Sequence, residues 1–246
     1  MRLHHSLILM FAALVLAPAL ASASITVSPV RIIYDAGQGE ASARLFNNGR
    51  APDLVQSWLD RGDADARDGR DEEVPFIVSP PLARIDPGKS QVLRIVHSGE
   101  PLPQDRESVF WLNVLAAPPQ SDSGGSGVQF PMRTRIKMIY RPAGLAAGAA
   151  SAHTRLSWQL AGVNARPVLR VSNPTPYHIS FSAVELVSGG RTLTVEDPDP
   201  LAPFATRDLA LPPAAGWAAD ARVRYRVFND YGGGDPGEAA LPAPAR

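Results

Sequence analysis

The chain has 246 residues, enough for one large domain or two of ordinary size, and its 45% hydrophobic and 20% charged content excludes a disordered tail protein. Its 24 basic residues equal its 24 acidic ones, so no basic field points to nucleic acid. The absence of cysteine excludes disulfides, zinc knuckles and thiol catalysis, and 24 scattered prolines favour short strands over long helices.

Arg2, His4 and His5 precede an apolar run from Leu7 to Leu20, and Ala21-Ser22-Ala23 follows with the small residues a signal peptidase reads. Residues 1–23 are therefore expected to be a cleaved export signal. Beyond them the pattern is short alternating windows. Ile25-Thr26-Val27 and Ile32-Ile33-Tyr34 flank Pro29 and read as one strand, bent or switched at the proline. Ala43–Phe46 ends at the turn Asn47-Asn48-Gly49, and Leu54–Leu59 precedes a charged loop. Val74–Val78, Gln91–Val96, Ser108–Leu115 and Val128–Tyr140 complete about seven strands, the spacing of an immunoglobulin-like sandwich. A small-residue linker, 141–150, leads to a second set near 154–160, 166–172, 177–187, 191–196, 204–211 and 221–228. The expectation is all-β: one sandwich over 24–143, a second over 151–238, and a flexible Pro/Ala-rich tail over 239–246.

Enzyme signatures are missing. There is no glycine-rich phosphate loop, zinc-protease motif or nucleophile elbow, and His97, His153 and His178 are far apart in sequence. Asp63–Gly69 fails as a calcium loop because Arg67 takes a ligand position.

Val128–Tyr140 is long for a strand, with Val128, Phe130, Met132, Ile136, Met138 and Tyr140 on one face. Pro131 cannot donate a ladder hydrogen bond, which places the segment at a sheet edge. A domain core accounts for Ile136 to Tyr140. For Val128 to Met132 the pattern leaves core packing and partner binding by strand addition both open. Only two of the 24 basic residues are lysines, Lys89 and Lys137, and Lys137 lies on the polar side of this strand.

The chain resembles the periplasmic pilus (fimbrial) chaperones. The likeness rests on Pro75-Phe76-Ile77-Val78-Ser79-Pro80-Pro81, Pro103–Ser108, Arg135–Pro142, Asn173-Pro174-Thr175-Pro176-Tyr177 and Asn229-Asp230-Tyr231-Gly232-Gly233, in the expected order. It implies two immunoglobulin-like β-sandwich domains in an L shape, and a chaperone that caps incomplete pilus subunits by donor-strand complementation before delivering them to an outer-membrane usher. By position, the lent residues are Val128, Phe130 and Met132, and Arg31 with Lys137 grips the subunit's C-terminal carboxylate. Glu107, Arg141 and Asp230 map onto a structural interdomain charge cluster. A usher-facing patch maps onto Leu54, Gln56, Pro80, Leu82 and Arg94. The Ser/Gly-rich stretch before Val128 is short, as in the short-loop branch of the family. The resemblance implies no cofactor, metal, nucleic acid or small-molecule substrate, and leaves open whether the free protein caps itself as a homodimer. The competing reading is an exported glycan-binding or adhesive sandwich, against which Trp58, Trp111, Trp158 and Trp217 are dispersed.

Overall fold

The computed structural model describes residues 24–62, 74–119, 130–161, 168–195, 198, 200–211 and 221–242. The expected export signal, the charged loop after Gly62 and Val128 lie outside the described residues.

Nine strands build the N-terminal domain: β1 (Ile25–Ser28), β2 (Arg31–Asp35), β3 (Glu40–Asn47), β4 (Asp53–Asp60), β5 (Phe76–Ser79), β6 (Leu82–Ile85), β7 (Ser90–His97), β8 (Ser108–Ala117) and β9 (Met132–Arg141). They form one sheet in the order β1-β3-β7-β5 and another in the order β2-β9-β8-β4-β6. Prolines set the crossings. β1 pairs with β3 in the first sheet, and after Pro29 β2 pairs parallel to β9 in the second. Pro80-Pro81 does the same between β5 and β6. A proline cannot continue a hydrogen-bonded ladder, so the chain leaves one sheet there and enters the other.

Alternation decides what lies inside. Val55, Leu93, Ile95, Phe110, Leu112 and Met138 are buried between the sheets, around Tyr34, Phe76 and Tyr140. The Phe76 ring meets Tyr34 edge-on at 5.1 Å and Phe110 at 4.9 Å. The Tyr34 hydroxyl donates to the Gly39 carbonyl at 2.6 Å and accepts from the His97 N–H at 3.1 Å, so this buried polar tip is satisfied. Asn47 closes its turn as the sequence predicts: its Oδ1 accepts from the Gly49 N–H at 2.8 Å.

The second domain contains β10 (Ser157–Ala161), β11 (Val168–Ser172), β12 (Phe181–Ser188), β13 (Arg191–Thr194), β14 (Thr206–Ala210), β15 (Arg222–Phe228) and β16 (Gly234–Ala240), in sheets β10-β11-β14 and β13-β12-β15-β16. Several boundaries differ from the expectation. Ala149–Arg155 winds into a 3₁₀ helix, so the first strand starts only at Ser157. β6 and β16 are strands that the pattern does not announce. β16 continues through Ala240, and Leu241 is buried, so ordered structure runs into the segment expected to be a tail. The linker is compact: the Tyr177 hydroxyl donates to the Leu145 carbonyl at 2.8 Å. A Cβ on Gly148 would lie 2.2 Å from that hydroxyl, so glycine is required there.

The expectation that the long strand is an edge needs correction. β2 flanks β9 from Lys137 to Arg141, which makes that half internal. Only Met132–Ile136 has β8 on one side and no described strand on the other.

Candidate functional site

The outward face of the five-stranded sheet carries the site. Strand register aligns Arg31 with Lys137, Lys137 with Trp111, and Trp111 with Asp60, in a row running from β2 to β4. Parallel pairing of β2 with β9 thus makes neighbours of two cations far apart in sequence. Both face the second domain. The Lys137 ammonium donates to Ser180 Oγ at 3.3 Å and stands 5.2 Å from the Trp111 ring centroid. The Arg31 guanidinium lies 5.8 Å over the Phe228 ring. Burial pushes the Lys137 ammonium down to about 8, with the Arg31 charge adding to the effect. Burial also lowers Arg31, against the opposing pull of Asp230 and Glu107. Among the described residues, neither cation forms an ion pair with a carboxylate. Two like charges, half removed from water and with no carboxylate partner among the described residues, form a site that an anion would relieve.

Glu107, Arg141 and Asp230 do come together, next to this pair. Arg141 Nε donates to Glu107 Oε1 at 2.8 Å, and its two terminal nitrogens donate to Asp230 at 2.7 and 2.9 Å. Glu107 Oε2 accepts from the His178 N–H at 2.7 Å, so the cluster ties the β7–β8 connection, the end of β9 and the second domain together. Burial opposes the Arg141 charge, but the two carboxylates outweigh it and hold the guanidinium above its usual range. This cluster is internally satisfied and offers no vacant charge to a ligand. A cavity of about 290 Å³ borders it, with Arg31, Tyr177 and His178 in its wall.

On the other face of β9 the apolar stripe changes character along its length. Ile136, Met138 and Tyr140 are buried, whereas Phe130 is 73% and Met132 54% exposed. The exposed end coincides with the half of the strand that has no second neighbour among the described residues.

The residues of the third predicted group are divided. Gln56 and Leu82 are register partners, and Leu54 pairs with Arg84, so Leu54, Gln56 and Leu82 share the outward face of β4 and β6. Leu54 is 50% and Leu82 55% exposed. Pro80 sits half-buried at the crossing before β6. Arg94 belongs to β7 in the other sheet, opposite Ser79, where it pairs with Glu40.

Sequence reasoning passed over Asp60, which looks like the start of a charged loop. Its carboxylate is fully buried under β9, with Arg135 at 2.9 Å and Arg133 at 3.3 Å. Trp58 lies under Arg133 at 5.2 Å and Trp111 under Arg135 at 5.0 Å, and Trp158 is buried in the second core. Trp58 and Trp111 are half-buried, each with an arginine over its ring, rather than open as a platform for a sugar. The signal available was the arginine pair at spacing two, on the face opposite the apolar stripe.

Two immunoglobulin-like sandwiches clamped by one guanidinium, with a partly exposed strand beside a cation pair, make a two-domain protein of the β-sandwich class. Residues 24–146 match the family model for the pili and flagellar-assembly chaperone PapD N-terminal domain, and residues 151–239 match that for the pili assembly chaperone PapD C-terminal domain. The chain belongs to this family of pilus-assembly chaperones. It is 41% identical over 224 residues to the probable fimbrial chaperone YadV of Escherichia coli K12, spanning 89% of this chain and 90% of that protein. It is also 41% identical over 232 residues to the chaperone protein FimB/FhaD of Bordetella pertussis, spanning 92% and 91%. The crystal structure of YadV superposes with a TM-score of 0.76 at 39% identity, over 89% of this chain and 100% of YadV. A chain from the complex of the Salmonella enterica SafA pilin with the SafB chaperone gives a TM-score of 0.74 at 28% identity, over 91% and 99%.

Proposed function

We propose that this protein is a periplasmic, non-enzymatic chaperone that captures pilus subunits by donor-strand complementation and passes them to an outer-membrane usher. The observation that carries the reading is the exposed half of β9. Phe130 and Met132 continue a buried apolar stripe into solvent, at the end of β9 whose outer edge has no partner among the described residues. A stripe of this kind is an aggregation hazard unless a partner covers it. A subunit lacking a strand would supply both a groove for the side chains and a ladder for the backbone. Val128 would be the first lent residue, and the Ser/Gly-rich stretch before it is that of the short-loop branch.

Arg31 and Lys137 would hold the subunit's C-terminal carboxylate and so set the register of the lent strand. A guanidinium fork with a compact ammonium beside it suits one carboxylate. The usher-facing patch would be Leu54, Gln56 and Leu82, with Pro80 at its margin.

The test compares capture of a pilus subunit carrying a free C-terminus with one ending in an amide. Loss of one partner from a desolvated charge pair costs about 2–5 kcal/mol, so Lys137→Ala should abolish stable complexes with the free acid while melting is little changed. The amidated subunit should bind more weakly and be nearly indifferent to Lys137→Ala. Equal binding of both subunits by the native protein would refute the anchor.

A further inference from the structure

The exposed half of β9 faces a mechanical problem. Among the described residues it has one neighbouring strand, β8, and the start of its apolar face, Phe130 and Met132, lies in solvent, so core packing on that side begins only at Ile136. The opposite face supplies the hold. Asp60 Oδ1 accepts from Arg135 at 2.9 Å and from the Gly62 N–H at 2.9 Å. Asp60 Oδ2 accepts from Asn113 at 2.7 Å and from Arg133 at 3.3 Å. Arg133 Nε also donates to Asn113 Oδ1 at 2.9 Å, so each member of the network fixes another. Each guanidinium is backed by an indole, Arg133 by Trp58 and Arg135 by Trp111.

Stability alone does not explain a carboxylate with no exposed surface here. Well-packed apolar residues serve a sheet face as well as a buried ion cluster, or better. What they lack is direction. A charge-assisted hydrogen bond from each arginine to one carboxylate fixes angle as well as distance, and it leaves a polar back on a strand whose front is apolar. We propose that Asp60 is a positioning residue for β9: its buried carboxylate grips Arg133 and Arg135 and keeps the exposed half-strand extended, with Phe130 and Met132 turned outward, before a subunit arrives. The inference rests on the lending of β9 proposed above. It adds that the strand is pre-organised from behind, which lowers the ordering cost at capture.

Hydrogen exchange on the free protein tests this without a partner. In Asp60→Asn, the amides of Arg133–Ile136 that pair with β8 should exchange about tenfold faster or more, while those of the β3–β7 ladder keep their native rates. The subunit association rate should fall about tenfold with little change in dissociation, because a subunit's own ladder holds the strand once bound. Arg135→Gln, which leaves Asp60 its bonds to Gly62 and Asn113, should shift both readouts the same way and serves if Asp60→Asn does not fold. Arg135→Lys should restore much of the loss. Unchanged exchange in Arg133–Ile136 overturns the proposal, as does faster exchange with native capture rates. Phe130→Ser in the same assays separates the two readings: it should block capture without altering exchange. If it captures normally, the lent-strand reading fails while the exchange data still decide the role of Asp60.

Discussion

Lys137 occupies a position where burial and a neighbouring guanidinium both disfavour its charge, and they bring its pKa down to about 8 from the usual 10.5. The groups around it come from three directions: Arg31 on β2, Trp111 on β8 and Ser180 at the entry to β12. None is a carboxylate. Two consequences of opposite sign follow. Between about pH 8 and 10.5 the unfolded chain binds this proton and the folded chain does not, so the free protein gains stability as pH rises through that window. A captured carboxylate restores the proton, so capture is coupled to proton uptake and weakens over the same range. Affinity for a subunit should be flat below about pH 7 and fall above pH 8 by up to about tenfold per unit, the limit for one proton. Lys137→Arg should remove the pH dependence and impair binding, because its planar head crowds the carboxylate. A profile that stays flat to pH 9.5 in the native protein would contradict the assignment. The lysine stood out in the sequence as one of only two, but its surroundings did not. That Ser180 and Phe228 complete the site depends on how the two domains meet, which no local pattern encodes.

Along β9 a single alternating face has two different fates, and substitutions should separate them. Met138 has no exposed surface, so Met138→Ala should destabilise the N-terminal domain by about 2–5 kcal/mol through lost transfer energy and a cavity. Met132 is more than half exposed, so Met132→Glu should shift stability by no more than about 0.5 kcal/mol. Subunit capture should reverse the ranking. Burying one such side chain contributes roughly 1.5–3 kcal/mol, and a carboxylate in its place adds a desolvation cost. Thermal melting paired with subunit pulldown reads both. Equal stability losses at the two positions would show that the stripe is ordinary core throughout. The stripe itself was legible because strand alternation is local. Its division was not, because the boundary lies where β2 begins to pair, and that strand comes from the other end of the domain. β16 was missed for another reason. Gly234–Ala240 has the composition of a loop, yet it pairs with β15 over all seven residues. A Cβ at Gly237 would lie 2.2 Å from the Tyr225 ring, so the small residues admit that ring against the strand. β6, four residues after a double proline, offers too short a window for its alternation to register.

At the scale of the whole molecule, β9 joins the parts. It is exposed at its first residue, Met132, Lys137 lies at its middle, and its last residue, Arg141, holds the second domain. The Arg141 guanidinium is buried and spans Glu107 and Asp230, so one side chain bridges the two sandwiches. Glu107 reinforces the joint through its own backbone, whose N–H donates to the Pro176 carbonyl at 2.9 Å. Nearby, the Arg106 guanidinium lies 5.1 Å over the Phe204 ring across the same interface. Arg141→Met would leave the buried Glu107 carboxylate without its guanidinium, a loss that typically costs about 3–5 kcal/mol. Arg141→Lys cannot reach both carboxylates with a forked geometry and should rescue little. The double variant Glu107→Gln with Arg141→Met removes the uncompensated charge and should recover most of the melting temperature. It should not recover capture, because Ser180 and Phe228 would no longer be held against Lys137 and Arg31. Calorimetry should therefore show the two domains melting separately in both variants, against a coupled transition in the native protein. Full capture by the double variant would mean that domain orientation is not needed, and that the cation pair on the first domain suffices by itself.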